Sequence, residues 1–421
     1  MKKIILIPIT FFLIFHLILP SHAMSDDYLP HLDKKYGKIL LNMRWRYETV
    51  NQDGVKNAEA VTIRSRIGYQ TPTIAGITGM IEIENTIPFN SGTYRVPGVT
   101  SASDSARNRA VIADPRNTEV NRLQLAYTGV KNTTIVFGRQ RIRLDNDRFI
   151  GNVGWRQNEQ TFDAITLKNN LFKGTEIYYG YLNRVNRIFG REAEPYKGIY
   201  YWKMNTHIIH LAYFPFSFLK IGGYTYLIRI KTQSARDNSN DTYGVYIKGK
   251  YPLINSFKLT YHAEYARQKD NNKNSSGTDF DLDYYHFKSG ILYNFYNKSS
   301  LNIGVGYEVL EGDGTRGFTT PLATLHAFQG WADKFLTTPA NGMEDAYIWT
   351  SVNLHRKITL KAVYHKFKEE NGGDDYGDEI DCLGVWKIDK HFKLLGKYAH
   401  YREDGYGADT DKFIIELNFI Y

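Results

Sequence analysis

The chain closes on "KFIIELNFIY", Lys412–Tyr421, and the alternation in these ten residues decides the fold. Phe413, Ile415, Leu417, Phe419 and Tyr421 form one wholly apolar set, while Lys412, Glu416 and Asn418 fall in the other. Side chains of an extended strand point alternately to its two faces, so period-two alternation marks a strand with one apolar and one polar face. The pattern recurs upstream. In "LNIGVGYEV", Leu301, Ile303, Val305, Tyr307 and Val309 oppose Asn302, Gly304, Gly306 and Glu308. Near the start, Val61, Ile63, Ile67 and Tyr69 oppose Thr62, Arg64, Arg66 and Gly68.

A soluble antiparallel sandwich alternates in the same way, so the connections must discriminate. Strand starts are expected near Ile39, Val61, Ile77, Glu119, Thr133, Thr161, Thr175, Thr206, Leu219, Thr242, Ser256, Leu282, Ser300, Tyr347, Ile358, Glu379, His391 and Asp411. That is about eighteen strands, an even number as bacterial outer-membrane barrels require. Every second connection is short: "TPTIAG", "GVKN", "NNLFKG", "PFS", "PLIN", "YNK", "HRK" and "IDK". The others include the long polar segments Pro88–Thr118, Ile142–Gln160, Asn186–Asn205, Asp270–Asp281 and Glu311–Ala346. A membrane barrel has short periplasmic turns and long extracellular loops, whereas a sandwich has no reason for this alternation. The expected fold is all-β: a single transmembrane antiparallel β-barrel with both termini in the periplasm.

Other features agree. Aromatics gather near strand ends, as in "IYYGY" and "YHFKSGILYNFY", where interfacial girdles belong. The terminal Tyr421 looks like the C-terminal signal that outer-membrane proteins present to their assembly machinery. "MKKIILIPITFFLIFHLILPSHA" has the layout of a secretory signal peptide over residues 1–23, which leaves 24–421 as the barrel. Its removal takes Lys2 and Lys3 and no acid, so the formal charge falls from +9 to 9 − 2 = +7. No later apolar run reaches the ~18 residues of a spanning helix. The single Cys382 excludes a disulfide framework and a cysteine-rich metal site.

With the apolar set facing lipid, the polar set faces the lumen. In "LLNMRWRYE", Leu41, Met43, Trp45 and Tyr47 go outward and Arg44, Arg46 and Glu48 inward. The following strands add Arg64 and Arg66, Glu82 and Glu84, then Arg122 and Gln124 opposite Leu123, Leu125 and Tyr127. Fixed arginines beside carboxylates keep the pore wet and bias it toward anions, because a guanidinium stays charged and binds carboxylates through two donors. Arg–Glu pairs across neighbouring strands also serve simply to stiffen the wall.

The stretch "NRLQLAYTGVKNTTIVFGRQRIRLDNDRFIGNVGWRQNEQTFDAITL", Asn121–Leu167, closely resembles the signature of the alginate-export family of outer-membrane porins. Its landmarks are Gly138-Arg139-Gln140, Asp147-Arg148, Gly151, Trp155-Arg156 and Phe162-Asp163-Ala164. The resemblance implies an 18-stranded barrel passing an anionic polysaccharide through an electropositive constriction of arginines and acids. A periplasmic turn and an extracellular loop would help gate it. Arg139, Arg141 and Asp163 are the positions it assigns to that constriction. Strand parity sets Arg139 with Phe137, away from the lumen, unless a bulge at Gly138 resets it. The sequence has no long early insertion of the kind a dedicated gate would need.

The functional expectation is therefore an outer-membrane channel exporting an alginate-like anionic polysaccharide, the alternative being a diffusion porin for small anions such as organic acids. A loop folded into the lumen would favour the alternative, and Glu311–Ala346 is long enough. The hairpin Arg139–Asp163 is expected to fold its connection against the inner wall, with Asp145, Asp147, Glu159 and Asp163 bracing its arginines; an exposed, solvated loop is the competing reading. An enzyme would need a nucleophile beside a base. His286 and His365 have inward positions, but no serine motif neighbours them. No cofactor is expected. "NGGDDYGDEID" offers a weak Ca²⁺ cluster in Asp374, Asp375 and Asp378, against the simpler reading of a solvated loop. The expected partners are outer-membrane lipid, the anionic polysaccharide or small anion, and periplasmic export proteins; nucleic acid is not among them, and the barrel is expected to be a monomer.

Overall fold

The computed structural model describes residues 36–99, 104–193, 199–271 and 279–421. The expected signal peptide lies outside them. Eighteen strands form one sheet. The first six are β1 (Lys38–Gln52), β2 (Ala58–Gln70), β3 (Ile77–Pro88), β4 (Asn117–Tyr127), β5 (Thr133–Gln140) and β6 (Thr161–Asn169). Next come β7 (Thr175–Asn186), β8 (Tyr201–Phe216), β9 (Leu219–Ile228), β10 (Asn240–Pro252), β11 (Phe257–Lys269) and β12 (Asp281–Asn294). The last six are β13 (Ser300–Leu310), β14 (Met343–Leu354), β15 (Ile358–Lys368), β16 (Asp375–Lys387), β17 (Phe392–Glu403) and β18 (Thr410–Ile420).

Each strand pairs antiparallel with its sequence neighbours, and β1 pairs with both β2 and β18. Closure leaves no edge strand, so every ladder N–H and C=O is satisfied without water, as a bilayer demands. The outward set includes Phe137, Val245, Phe287, Ile303, Ile348, Leu360 and Ile380, all exposed. An apolar belt on a closed antiparallel barrel is the architecture of bacterial outer-membrane proteins. No helix among the described residues is long and apolar enough to cross a membrane.

Most strands start within three residues of the expected positions. β8, β14 and β16 start earlier, at Tyr201, Met343 and Asp375 rather than near Thr206, Tyr347 and Glu379. Their extra residues lie beyond the lipid belt, where the outward face need not be apolar and the alternation fades.

The packed core sits inside the barrel. Phe149 and Ile150, from the β5–β6 connection, meet Tyr224, Tyr226 and Tyr284 of the wall and Phe318 and Leu322 of the β13–β14 connection. Ile150, Phe318 and Leu322 are fully buried, each stabilising this arrangement by about 1.5–3 kcal/mol relative to exposure. Phe335 packs among Phe367, Tyr376 and Tyr401 on the next part of the wall. Two long connections thus fold inward because they carry apolar side chains that only the lumen can bury.

Candidate functional site

β5 is short and stops at Gln140, from where the chain turns into the lumen. Asp145, Asp147 and Val153 adopt positive φ, which bends residues 141–160 into a compact crossing. Wall arginines grip it. Arg44 Nη1 donates to the carbonyls of Gly154 (3.1 Å), Trp155 (3.1 Å) and Arg156 (3.0 Å). Arg46 donates to Asp114 of the β3–β4 connection at 2.8 Å and to Glu416 of β18 at 2.9 Å. Arg156 from the crossing answers with Glu48 of β1 at 2.9 Å. Arg66 pairs with Glu84 and approaches Glu159 at 3.4 Å. Glu82 collects Arg122 at 3.0 Å and Arg141 at 3.1 Å.

Two loop carboxylates of this lattice, Glu159 and Asp114, stay ionised. Burial pushes the Glu159 carboxyl up, but Arg66 and Arg141 outweigh it and hold the group at about 2. Asp114 is likewise pushed up by burial and brought below the ordinary range by Arg46 and Arg156.

The crossing reaches the opposite wall. Asp145 accepts from Tyr246 at 2.6 Å, Lys220 at 2.9 Å and Lys248 at 3.0 Å. Lys248 stands on β10, nine strands from β1 in a closed sheet of eighteen, so the crossing spans the full diameter. Arg148 pairs with Glu308 of β13 at 2.9 Å and lies over the Phe328 ring.

The β13–β14 connection meets it in mid-lumen. Gly151 N–H donates to the Leu322 carbonyl at 2.9 Å, Thr324 N–H to the Asp147 carbonyl at 3.0 Å, and Trp155 stacks on His326 at 3.4 Å. A side chain at Gly151 would collide with Thr324 Oγ1 and its backbone nitrogen, so glycine is what lets the loops touch. Ala332 N–H docks on Glu379 at 2.7 Å and Gln329 on Glu308 at 2.6 Å.

Arg44, Arg46, Arg64, Arg66, Arg122, Glu82 and Glu84 face inward as expected. They are not open lining: Arg46 is 0 %, Arg64 2 % and Arg66 7 % exposed, and Arg46 and Arg66 reach the crossing while Arg64 donates to Asn42 of β1. Arg141 joins them because it follows the end of β5. Arg139 and Asp163 require a correction. They pair at 2.7 Å, but on the set of positions shared by lipid-facing Phe137 and Ile165. The register runs through Gly138 without a shift on either side, so no bulge turns Arg139 inward. Arg184 approaches the same carboxylate at 4.0 Å and lies over Tyr201, making an outer-surface cluster.

The weak Ca²⁺ candidate, set against the favoured reading of a solvated loop, does not form a cluster. Asp374, Asp375 and Asp378 do not converge; Asp375 is engaged by Lys366 at 3.2 Å, and the acids splay along the start of β16. Strand alternation puts alternate residues on opposite faces, which keeps this run of acids apart.

Missing from the sequence reading are the inward lysines of β12, β15 and β17. Lys288, Lys361, Lys393 and Lys397 take inward positions on β12, β15 and β17, in register with inward neighbours Gly306, Leu383 and Asn418. Among the described residues no carboxylate lies within ion-pair distance of Lys288, Lys361 or Lys393. Instead, Lys361 and Lys397 flank the Trp331 ring at 5.4 and 4.4 Å, and Lys288 lies 4.8 Å over Trp349. The signal was present in the alternation: Phe287 outward implies Lys288 inward.

Neither a protein-family model nor a curated protein matches the chain. Solved structures do. Acinetobacter baumannii OccAB3 superposes with a TM-score of 0.68 at 11% identity, covering 91% of this chain and 99% of that one. Pseudomonas aeruginosa OpdK, crystallised with vanillate, gives 0.69 at 10% identity over 91% and 98%. Pseudomonas aeruginosa OccK11 gives 0.65 at 13% over 93% and 99%. The fold is the 18-stranded barrel of outer-membrane porins.

Proposed function

We propose that this barrel is a passive, anion-preferring outer-membrane channel for small organic carboxylates, and not an exporter of a polysaccharide. The observation that carries the reading is the division of cations in the lumen. Arg44, Arg46, Arg66, Arg141 and Arg156 are engaged in or against the crossing loop, while Lys288, Lys361 and Lys393 face inward with no carboxylate in ion-pair distance among the described residues. A lysine ammonium is a compact, hydrated, mobile charge; it attracts a carboxylate without the two-donor grip of arginine. Conduction needs that balance, since binding must admit the ion and still release it.

Two further points support small solutes. The β5–β6 connection crosses the lumen and the β13–β14 connection packs against it, which suits a constriction for small molecules better than one for a chain of linked sugars. The fold neighbour OpdK was crystallised with vanillate, a small aromatic carboxylate. Of the three positions the polysaccharide reading took from the resemblance, Arg139 and Asp163 lie on the outward set and Arg141 is engaged by Glu82 and Glu159.

The test is a pair of measurements on a gene deletion: uptake of benzoate-class carboxylates, and secretion of uronic-acid polymer. The proposal expects slower uptake with secretion intact. Lost secretion with unchanged uptake would refute it and restore the export reading.

A further inference from the structure

We propose that the lumen wall carries a binding site for one divalent transition-metal ion of the zinc class, formed by His262 and Glu264 of β11 and His286 of β12. His262 and Glu264 are two residues apart on one strand and so share its inward face. His286 is the direct register partner of Glu264 on the adjacent strand. One donor atom from each lies within 4.8 Å of the other two, and His262 Nε2 is already 3.0 Å from Glu264 Oε2. Zinc bonds of about 2.0–2.1 Å in tetrahedral geometry place donors about 3.3 Å apart, so modest side-chain rotation closes the set around an ion.

Three independent features point to a cation there. Glu264 is 6% exposed, and its one ion-pair partner among the described residues is His262, which is charged only when protonated. A buried carboxylate without a permanent counter-charge is costly. Secondly, His286 Nδ1 is buried with no hydrogen-bond partner, while its Nε2 sits 2.8 Å from the Tyr347 hydroxyl. An orphaned buried acceptor costs about 1–3 kcal/mol, and a metal ion supplies the missing partner. Thirdly, the donors have the outer support that metal ligands use. Tyr224 donates to Glu264 Oε1 at 2.7 Å, fixing the carboxylate, and Tyr347 fixes the His286 ring.

The donor chemistry selects the ion. Two imidazoles and one carboxylate suit zinc and its neighbours, whereas Mg²⁺ and Ca²⁺ prefer oxygen alone. The nearest cation on these strands, Lys288, is turned over the Trp349 ring, and Glu308 stands beside His286 on β13. Three protein ligands leave a fourth position open. His262 keeps 13% of its side chain exposed, so that position is reachable from the lumen. This inference does not depend on which anion the channel carries.

The experiment uses untagged, folded barrel in detergent, stripped with chelator and titrated with micromolar ZnCl₂, with bound metal measured by mass spectrometry. Stoichiometric zinc is expected, and no magnesium. His262→Gln and His286→Ala should each abolish it, and Tyr347→Phe should weaken it about 10-fold or more. X-ray absorption at the zinc edge should show imidazole scattering, a readout that needs no variant to fold. Absence of zinc from the wild type, zinc retained in the double histidine variant, or an edge without imidazole would each overturn the proposal.

Discussion

Replacing Glu159 by Gln should loosen the loop that crosses the lumen. Glu159 ends that crossing, is 1% exposed, and receives Arg141, Asn121, Asn152 at 2.7 Å and Arg66 at 3.4 Å. Burial alone would raise its carboxyl; the two arginines instead hold it at about 2, against an ordinary 4.5. At about 1.4 kcal/mol per tenfold in proton affinity, the gap corresponds to roughly 3 kcal/mol favouring the charged form. Glutamine keeps the shape but forfeits that charge, while Arg66 and Arg141 retain Glu84 and Glu82, so the wall itself should persist. A loss of about 3 kcal/mol shifts the attached-to-detached ratio of the loop by roughly a hundredfold. Single-channel recording is the assay: Glu159→Gln should add excursions to higher conductance levels that the wild type lacks. Folded Glu159→Gln barrels with wild-type levels and lifetimes would refute the view that this lattice holds the crossing in place.

Three further outcomes follow from the same geometry. Lys288→Glu with Lys361→Glu should move the reversal potential in a salt gradient toward cation preference, whereas Arg139→Gln, on the outer surface, should leave it unchanged; the opposite pattern would return Arg139 to the pore. The frequency of high-conductance excursions in the wild type should not rise between pH 8 and about 4.5: Glu159 has a depressed value, so its hold on the crossing is full above about 4.5 and fades only as pH falls through about 2; Asp145 and Asp333 are also held low by their cationic partners despite burial. An epitope inserted at Thr315 should be labelled on intact cells and one at Lys131 or Asn297 should not, and labelling of the second pair would invert the assigned topology.

What was legible in the sequence is what the bilayer enforces. Lipid accepts only apolar side chains over the belt, so residues such as Phe413, Ile303 and Ile63 had to alternate, and strand number and parity followed. The lumen imposes no such rule on its polar set. Arg46 and Arg122 both read as inward and polar, yet Arg46 is sealed under the crossing while Arg122 pairs with Glu82 on the neighbouring strand. Only the path of residues 141–160 separates them, and that path depends on contacts with β1 and β10 that lie far apart in the chain. Arg139 shows which signal was sounder: parity set it with Phe137, while the family resemblance placed it in the constriction, and the register follows parity. The charge concentrated between Gly138 and Ala164 then has a structural reason. A segment that crosses a wet barrel must replace the hydration of its own backbone and of the wall arginines. It does so with Arg44 on three loop carbonyls, Arg156 on Glu48, and Asp145 between two lysines. Arginine, rigid and forked, fits this holding role, since it can bond two oxygens at once.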